Sequence, residues 1–233
     1  MVGLFFLIIS MYRLPGCVLA GEMQRTPKYN SARRQAQARE TRRQIIEAAH
    51  QLFTENGYAG ATIEAIAQEG GVAPETVYAT FGNKRSILVA LVNNLVGGDD
   101  QPIPLLQRPG PQNVLQERDA SRQIHLFAQD ISNILERVAP LFEVVRAAAK
   151  TEPDIDDLLK SLLNERLRNL TTFALHLAAN KSLRAGLDEV QAGETVWTLS
   201  SPEVFSLLIR DRGWTKERYA QWLGDSLSRL LLP

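Results

Sequence analysis

The stretch "VAPETVYATFGNKRSIL", Val72 to Leu88, decides how the chain is read. It crowds a proline, a Thr-Val-Tyr triplet, an aromatic residue, a glycine and a Lys-Arg pair into a space where a core helix would need none of them. Pro74 suits the first position of a helix, where no backbone N–H is required. The pattern predicts a short helix from Pro74 to about Thr80, closed by Gly82, and a further helix from about Asn83 with Ile87, Leu88, Leu91 and Leu95 on one face. Upstream, Thr62 is a good N-cap with Glu64 in the first turn, and Ile63, Ile66 and Ala67 point inward until Gly70-Gly71 stops the helix. Before it, Ile45, Ala48, Ala49, Leu52 and Phe53 recur at helical spacing from Thr41 to Gly57.

Two short helices joined by "EGGVA" have the size and turn of a helix-turn-helix, whose second helix enters the major groove of DNA. Val77 should face the core, leaving Pro74, Glu75, Thr76 and Tyr78 to look outward. Thr76 can offer a methyl to thymine or a hydroxyl to an acceptor. Tyr78 can hydrogen-bond a phosphate, and Lys84 at the next helix start adds a charge beside free backbone N–H groups. Glu75 has two readings, a carboxylate favoured by the helix dipole and an acceptor for a cytosine amino group. Thr62 is counted with the DNA-facing residues.

Charge supports the same end of the chain. The formal net charge is zero, yet residues 23–46 hold seven basic residues against the single acid Glu40, and residues 47–233 balance them with −6. A basic leader on an acidic body suits a protein of which one end meets a polyanion. Arg39, Arg42 and Arg43, nearest the first helix, are expected on the DNA backbone. The basic residues before Arg33 read either as part of a disordered arm reaching phosphates or the minor groove, or as a solubilising tail.

The opening "MVGLFFLIIS" is too short for a membrane-spanning helix, which needs about 20 apolar residues. It also lacks the preceding positive charge of a signal peptide. We expect translation to start at Met23. The rival reading is a membrane-tethered interaction protein, held by this apolar stretch or by lipid on Cys17. With one cysteine and only His50, His125 and His176, no zinc-ligand spacing exists, and neither metal nor cofactor is expected. No nucleophile–base pair or phosphate-cradling glycine loop marks an enzyme. A cytoplasmic protein without membrane partners is the expectation.

After a Pro/Gly-rich break the chain holds only helical patterns, about Val114 to Val138, Pro140 to Lys150, Asp154 to Asn180, Asp188 to Arg212 and Thr215 to Leu231, with Pro202 kinking or dividing its helix. The fold class is all-α. The organisation expected is an apolar start and basic disordered arm (1–38), a helix-turn-helix domain (39–97), a Pro/Gly-rich connection (98–113) and a helical ligand-binding and dimerisation domain (114–233).

The run from Ile45 to Leu91 resembles the N-terminal domain of the tetracycline-repressor (TetR) family of transcriptional regulators. The likeness rests on Phe53, Gly57, Tyr58, Thr62-Ile63, Ile66-Ala67, Gly71-Val72, Tyr78, Phe81, Lys84 and Leu88 at fixed spacing. Ala73 departs from the serine or threonine common there, so Pro74 and Glu75 must organise the helix start. The resemblance implies a homodimer that binds a palindromic double-stranded operator, usually as a repressor, and lets go when a small molecule enters the C-terminal domain. An activator or an architectural DNA-binding protein would use the same head. The residues from Glu194 to Leu232 resemble the terminal helices that pair between subunits in part of that family. Val196, Leu199, Leu207 and Leu208 form one apolar stripe, and Trp222, Leu223, Leu227 and Leu230 another. Phe127, Phe142, Arg146, Arg166, Phe173 and His176 are candidates to line the pocket of an unidentified effector, although His176 reads first as a hydrogen-bonded core residue and Arg146 as a solvated or ion-paired one.

Overall fold

A computed structural model describes residues 28–180 and 182–233, with side chains from residue 32 onward. The expected start at Met23, the apolar opening, Cys17 and Arg25 lie outside the described residues. The described residues fall into two units, one ending at Gln37 and a compact one from Ala38 to Pro233.

Among the described residues every regular element is helical. α1 (Lys28–Gly60), α2 (Ile63–Glu69), α3 (Pro74–Phe81) and α4 (Lys84–Gly97) are followed by α5 (Pro109–Gln116), α6 (Ala120–Ala149), α7 (Pro153–Ala179), α8 (Glu189–Leu199), α9 (Pro202–Ser206) and α10 (Lys216–Leu231). The all-α expectation holds.

Where the helices differ from expectation, the cause is local. α1 begins at Lys28, well before Thr41 and within the stretch read as an arm. Apolar spacing marks only the part that packs, whereas the exposed Ala, Arg and Gln residues before it are good helix formers with nothing to bury. Gly57 stops the regular helix as expected, with φ 68° and ψ 179°. Pro140 does not begin a helix but lies inside α6. Its ring is exposed, so the missing N–H costs one backbone bond without straining the core. Pro202 divides its helix, and the break is capped where the Ser201 hydroxyl accepts from the Val204 N–H at 3.2 Å. The connection after α4 is more structured than its proline and glycine content suggested, since α5 starts on Pro109 at a position that needs no N–H.

Arg108 holds that connection. Its buried guanidinium donates to the carbonyls of Gly97, Gln101 and Ile103 and to both carboxylate oxygens of Asp99, at 2.7–3.2 Å. From α6, Arg137 donates to the Leu95 carbonyl at 2.7 Å and to that of Val96 at 3.4 Å. Two guanidiniums thus satisfy carbonyls at the end of α4 that have no partner within the helix.

α6 runs through the centre of the body, burying Ile124, Phe127, Leu135, Val138, Leu141, Phe142 and Val145 between α7 and α10. α8 lies close on α7 because Gly193 has no side chain. A Cβ there would stand 2.9 Å from Thr171 Oγ1 and 3.2 Å from its Cα.

Candidate nucleic-acid interface and the cavity behind it

The sequence builds α2 and α3 as expected. The Thr62 hydroxyl accepts from the Ala65 N–H at 3.1 Å, and Ile63, Ile66 and Ala67 are buried. The turn passes through Gly71 at φ 64°, where a residue with a Cβ would be strained even though the space around it is open. Ala73 occupies the N-cap of α3 without a capping side chain, and Pro74 follows at the first turn.

α3 has a single buried residue, Val77. Glu75 and Tyr78 are exposed, Tyr78 by 49%, and Pro74 and Thr76 are half-buried. The Thr80 hydroxyl donates back to the Thr76 carbonyl at 2.7 Å, within the helix. At the far end Gly82 turns the chain at φ 77°, and Asn83 caps α4 by accepting from the Ser86 N–H at 2.8 Å. One side of α3 is therefore pinned to the core while the other offers a short row of mixed chemistry to solvent. A groove-reading helix has this form.

Around α3 the basic residues divide. Arg39 is exposed. Arg42 also reaches solvent while its guanidinium lies 4.4 Å from the centre of the Phe81 ring, tying α1 to the end of α3. Arg43 is matched within its own helix by Glu40 and Glu47, at 2.5 and 2.6 Å. That leaves Arg43 with much less charge to offer a phosphate than Arg39 or Arg42.

Lys84 differs most from its expected role. Its ammonium donates to the Tyr58 carbonyl at 2.8 Å and sits 4.1 Å from the centre of the Tyr58 ring, which in turn stacks on Phe53 at 5.7 Å. Partial burial pushes the ammonium's pKa down, opposed in part by Glu152. The lysine fastens the start of α4 to the end of α1, and a phosphate would have to compete for it. Beside it, Arg85 Nε donates to the Asp154 carbonyl at 3.2 Å and joins α4 to the beginning of α7. Sequence reading did not single out Arg85, and its place next to Lys84 was the only signal.

Behind the head, α4, α6 and α7 line most of a partly open cavity of about 120 Å³. Its wall is mainly apolar, including Val92 and Val96 of α4 and Leu135 and Phe142 of α6, while α7 contributes Arg166. A second space of about 60 Å³ shares Ile131, Ile134 and Leu170 with the first and reaches Phe127 and Phe173, whose rings stack at 4.5 Å. Phe127, Phe142, Arg166 and Phe173 thus come together as the sequence suggested. Arg146 and His176 do not. Arg146 is paired with Glu203, and His176 is exposed near the end of α7, which removes it from core and cavity alike.

The terminal stripes also need correction. Val196, Leu223 and Leu227 are wholly buried inside one chain and cannot meet a partner. Leu199, Leu208 and Trp222 are half-buried, while Leu207 and Leu230 are exposed by 52% and 40%. A helical stripe reports only that a face is apolar, and here much of that face belongs to the chain's own core. Among the described residues no three His, Cys, Asp or Glu gather to hold a metal, and no helix is long and apolar enough to cross a membrane.

Comparison with known proteins agrees with this geometry. Residues 45–91 match the family described as bacterial regulatory proteins, tetR family. The HTH-type transcriptional regulator HbdR of Aromatoleum sp. (strain CIB) is 43% identical over 65 residues, 28% of either chain. The chain therefore spans little more than a quarter of the curated relatives it matches. Across most of the chain the likeness is one of fold. The Bacillus subtilis regulator FadR, solved in complex with stearoyl-CoA, superposes with a TM-score of 0.62 at 22% identity, covering 79% of this chain and 96% of that one. NalD of Pseudomonas aeruginosa, a secondary repressor of a multidrug efflux pump, gives 0.60 at 20% identity, covering 83% and 97%. Residues 45–91 thus match the tetR family of bacterial regulatory proteins, and the helical body shares the fold of solved proteins described as TetR-family regulators.

Proposed function

We propose that the chain is a ligand-responsive transcriptional regulator, a homodimer that reads an inverted-repeat operator and represses from it. The observation that carries this reading is α3, anchored through the buried Val77 and the half-buried Phe81 while Glu75 and Tyr78 are exposed and Pro74 and Thr76 half-exposed beside them. The match of residues 45–91 to a family of DNA-binding regulators supports it. Arg39 and Arg42 would follow the phosphates beside the groove, and Thr76 and Tyr78 would meet base edges and sugar-phosphate.

Dimerisation gives the head its second half-site, about 34–36 Å away along the duplex. The exposed leucines Leu207 and Leu230 and the half-buried Trp222 are the side chains we assign to the subunit contact. The cavity accounts for regulation. Val92 and Val96 of its wall stand on α4, the helix that follows the reading head, so an occupant touches the element whose start Lys84 and Arg85 fix. The apolar wall favours a small and largely apolar effector.

Purified protein mixed with fragmented genomic DNA at moderate salt tests the reading. Enrichment of a short inverted repeat is the expected result. Diffuse retention with no shared sequence would contradict it.

A further inference from the structure

The cavity is not uniformly apolar. Arg166 enters its wall from α7 among Val92, Leu135, Val138, Phe142 and Leu162. Its Nη2 is occupied, donating to the Trp197 carbonyl at 2.6 Å and to the Ser200 hydroxyl at 3.0 Å, and its guanidinium lies 5.3 Å from the centre of the Trp197 ring. Nη1 is different. It is buried and has no hydrogen-bond partner among the described residues.

A buried guanidinium N–H without an acceptor is costly and uncommon. The charge of nearby Glu203 favours the charged arginine only in part against burial, and its carboxylate is held by Arg146 and accepts no hydrogen bond from Arg166. The other acid of the wall, Glu165, is exposed to solvent. Burial drives the Arg166 pKa down to about 10, so it stays charged at neutral pH while its surroundings disfavour that charge. Water alone answers this poorly, since an ordered buried water needs two to four polar partners and most of the surrounding wall is hydrocarbon.

We propose that the cavity binds an amphipathic monoanion whose carboxylate accepts from Arg166 and whose apolar body fills the space toward Phe127 and Phe173. This assignment rests on the reading of the body as an effector domain and specifies the chemistry of its ligand. Arginine's planar fork suits a carboxylate better than a neutral acceptor. The far end agrees, for the stacked Phe127 and Phe173 line it and burial raises the pKa of Asp130 beside them, favouring its neutral form. Size sets the scale. An apolar cavity of about 150 Å³ takes up benzene, so the two spaces suit a body of roughly six to eight carbons.

The test uses octanoate, 1-octanol and octylamine as probes of one length and three head groups, titrated into the full-length protein. Trp197, against Arg166, supplies a fluorescence signal, and calorimetry gives the affinity independently. Octanoate should bind at least about tenfold more tightly than octanol, as a charge-assisted hydrogen bond requires, and octylamine more weakly than either. Arg166→Met should abolish the preference for the acid while leaving octanol binding intact, and Arg166→Lys should keep part of it. The wild-type series decides the matter even if Arg166→Met does not fold. Equal affinities for acid and alcohol, a preference that survives in Arg166→Met, or no binding of any probe would overturn the proposal. Selection of genomic DNA by the same preparation separates the possible failures. An enriched inverted repeat without acid preference overturns the ligand assignment alone, whereas failure of both overturns the regulator reading with it.

Discussion

Replacing Lys84 with methionine distinguishes the phosphate contact expected from the sequence from the internal contact that the structure shows. Methionine keeps an unbranched stem over the Tyr58 ring but removes the ammonium that donates to the Tyr58 carbonyl at 2.8 Å. A hydrogen bond from a charged donor contributes about 1.5–3 kcal/mol, and a cation over an aromatic face about 0.5–1 kcal/mol at an exposed site. Lys84 is only half-buried, so solvent screening favours the lower part of that range. A loss of about 1–2 kcal/mol is expected, seen as a fall in Tm of about 2–8 °C for a chain of this size. DNA affinity measured over a series of salt concentrations supplies the discriminating result. If Lys84 works inside the domain, the slope of log K against log salt stays as in the wild type. If it neutralises a phosphate, the slope falls by about 0.9 per protomer. A reduced slope with unchanged melting would refute the internal role and restore Lys84 to the DNA face.

Other perturbations probe the turn, the body and the subunit contact. Gly82→Ala forces a Cβ onto a residue at φ 77°, where nothing lies within 4 Å, so the cost is conformational, about 1–3 kcal/mol. A thermal melt equal to the wild type would show that the turn does not need glycine. In the body, the raised pKa of His125 comes first from its bond to the Ser121 carbonyl and then from Asp225 on α10, whose own pKa is lowered by Gln221 and by His125. A raised histidine pKa stabilises below its ordinary 6.5 and is lost as pH rises through the folded value. A lowered aspartate pKa stabilises above its ordinary 3.8 and is lost as pH falls through the folded value. Relative to His125→Gln, the wild type should therefore melt higher at about pH 5.5 than at about pH 8, and a pH-independent difference would contradict the pairing. Leu207→Arg with Leu230→Arg should give a folded monomer in sedimentation at micromolar concentration, and an unaltered dimer would move the contact elsewhere.

The reading head was legible because its constraints are local. Caps, glycines and apolar spacing between Thr62 and Leu91 each act within a few residues, and each appears in the structure where the sequence placed it. What was missed depends on partners far along the chain. Nothing near Lys84 announces the Tyr58 carbonyl 26 positions away, and nothing near Arg85 announces Asp154. The dimer stripes took in Val196, Leu223 and Leu227 for a related reason, since periodicity marks them as apolar without saying which surface covers them. Arg166 was named as a pocket candidate, yet its distinguishing property, one occupied and one unpartnered nitrogen, exists only once α7 and α8 meet. His176 erred the other way, because an apolar neighbourhood in sequence does not fix the side of the helix on which a residue stands.

On the regulator reading α3 meets base edges in the major groove. The most direct measurement of this is the affinity of the purified protein for the selected inverted repeat and for a scrambled duplex of the same length and composition, at physiological salt, with wild type and with Thr76→Ala. A wild-type preference of about 10³-fold or more is expected, with Thr76→Ala costing about 1–3 kcal/mol against one base pair and little against the scrambled duplex. Equal affinity for the two duplexes, or a preference that Thr76→Ala leaves unchanged at every position, would contradict it.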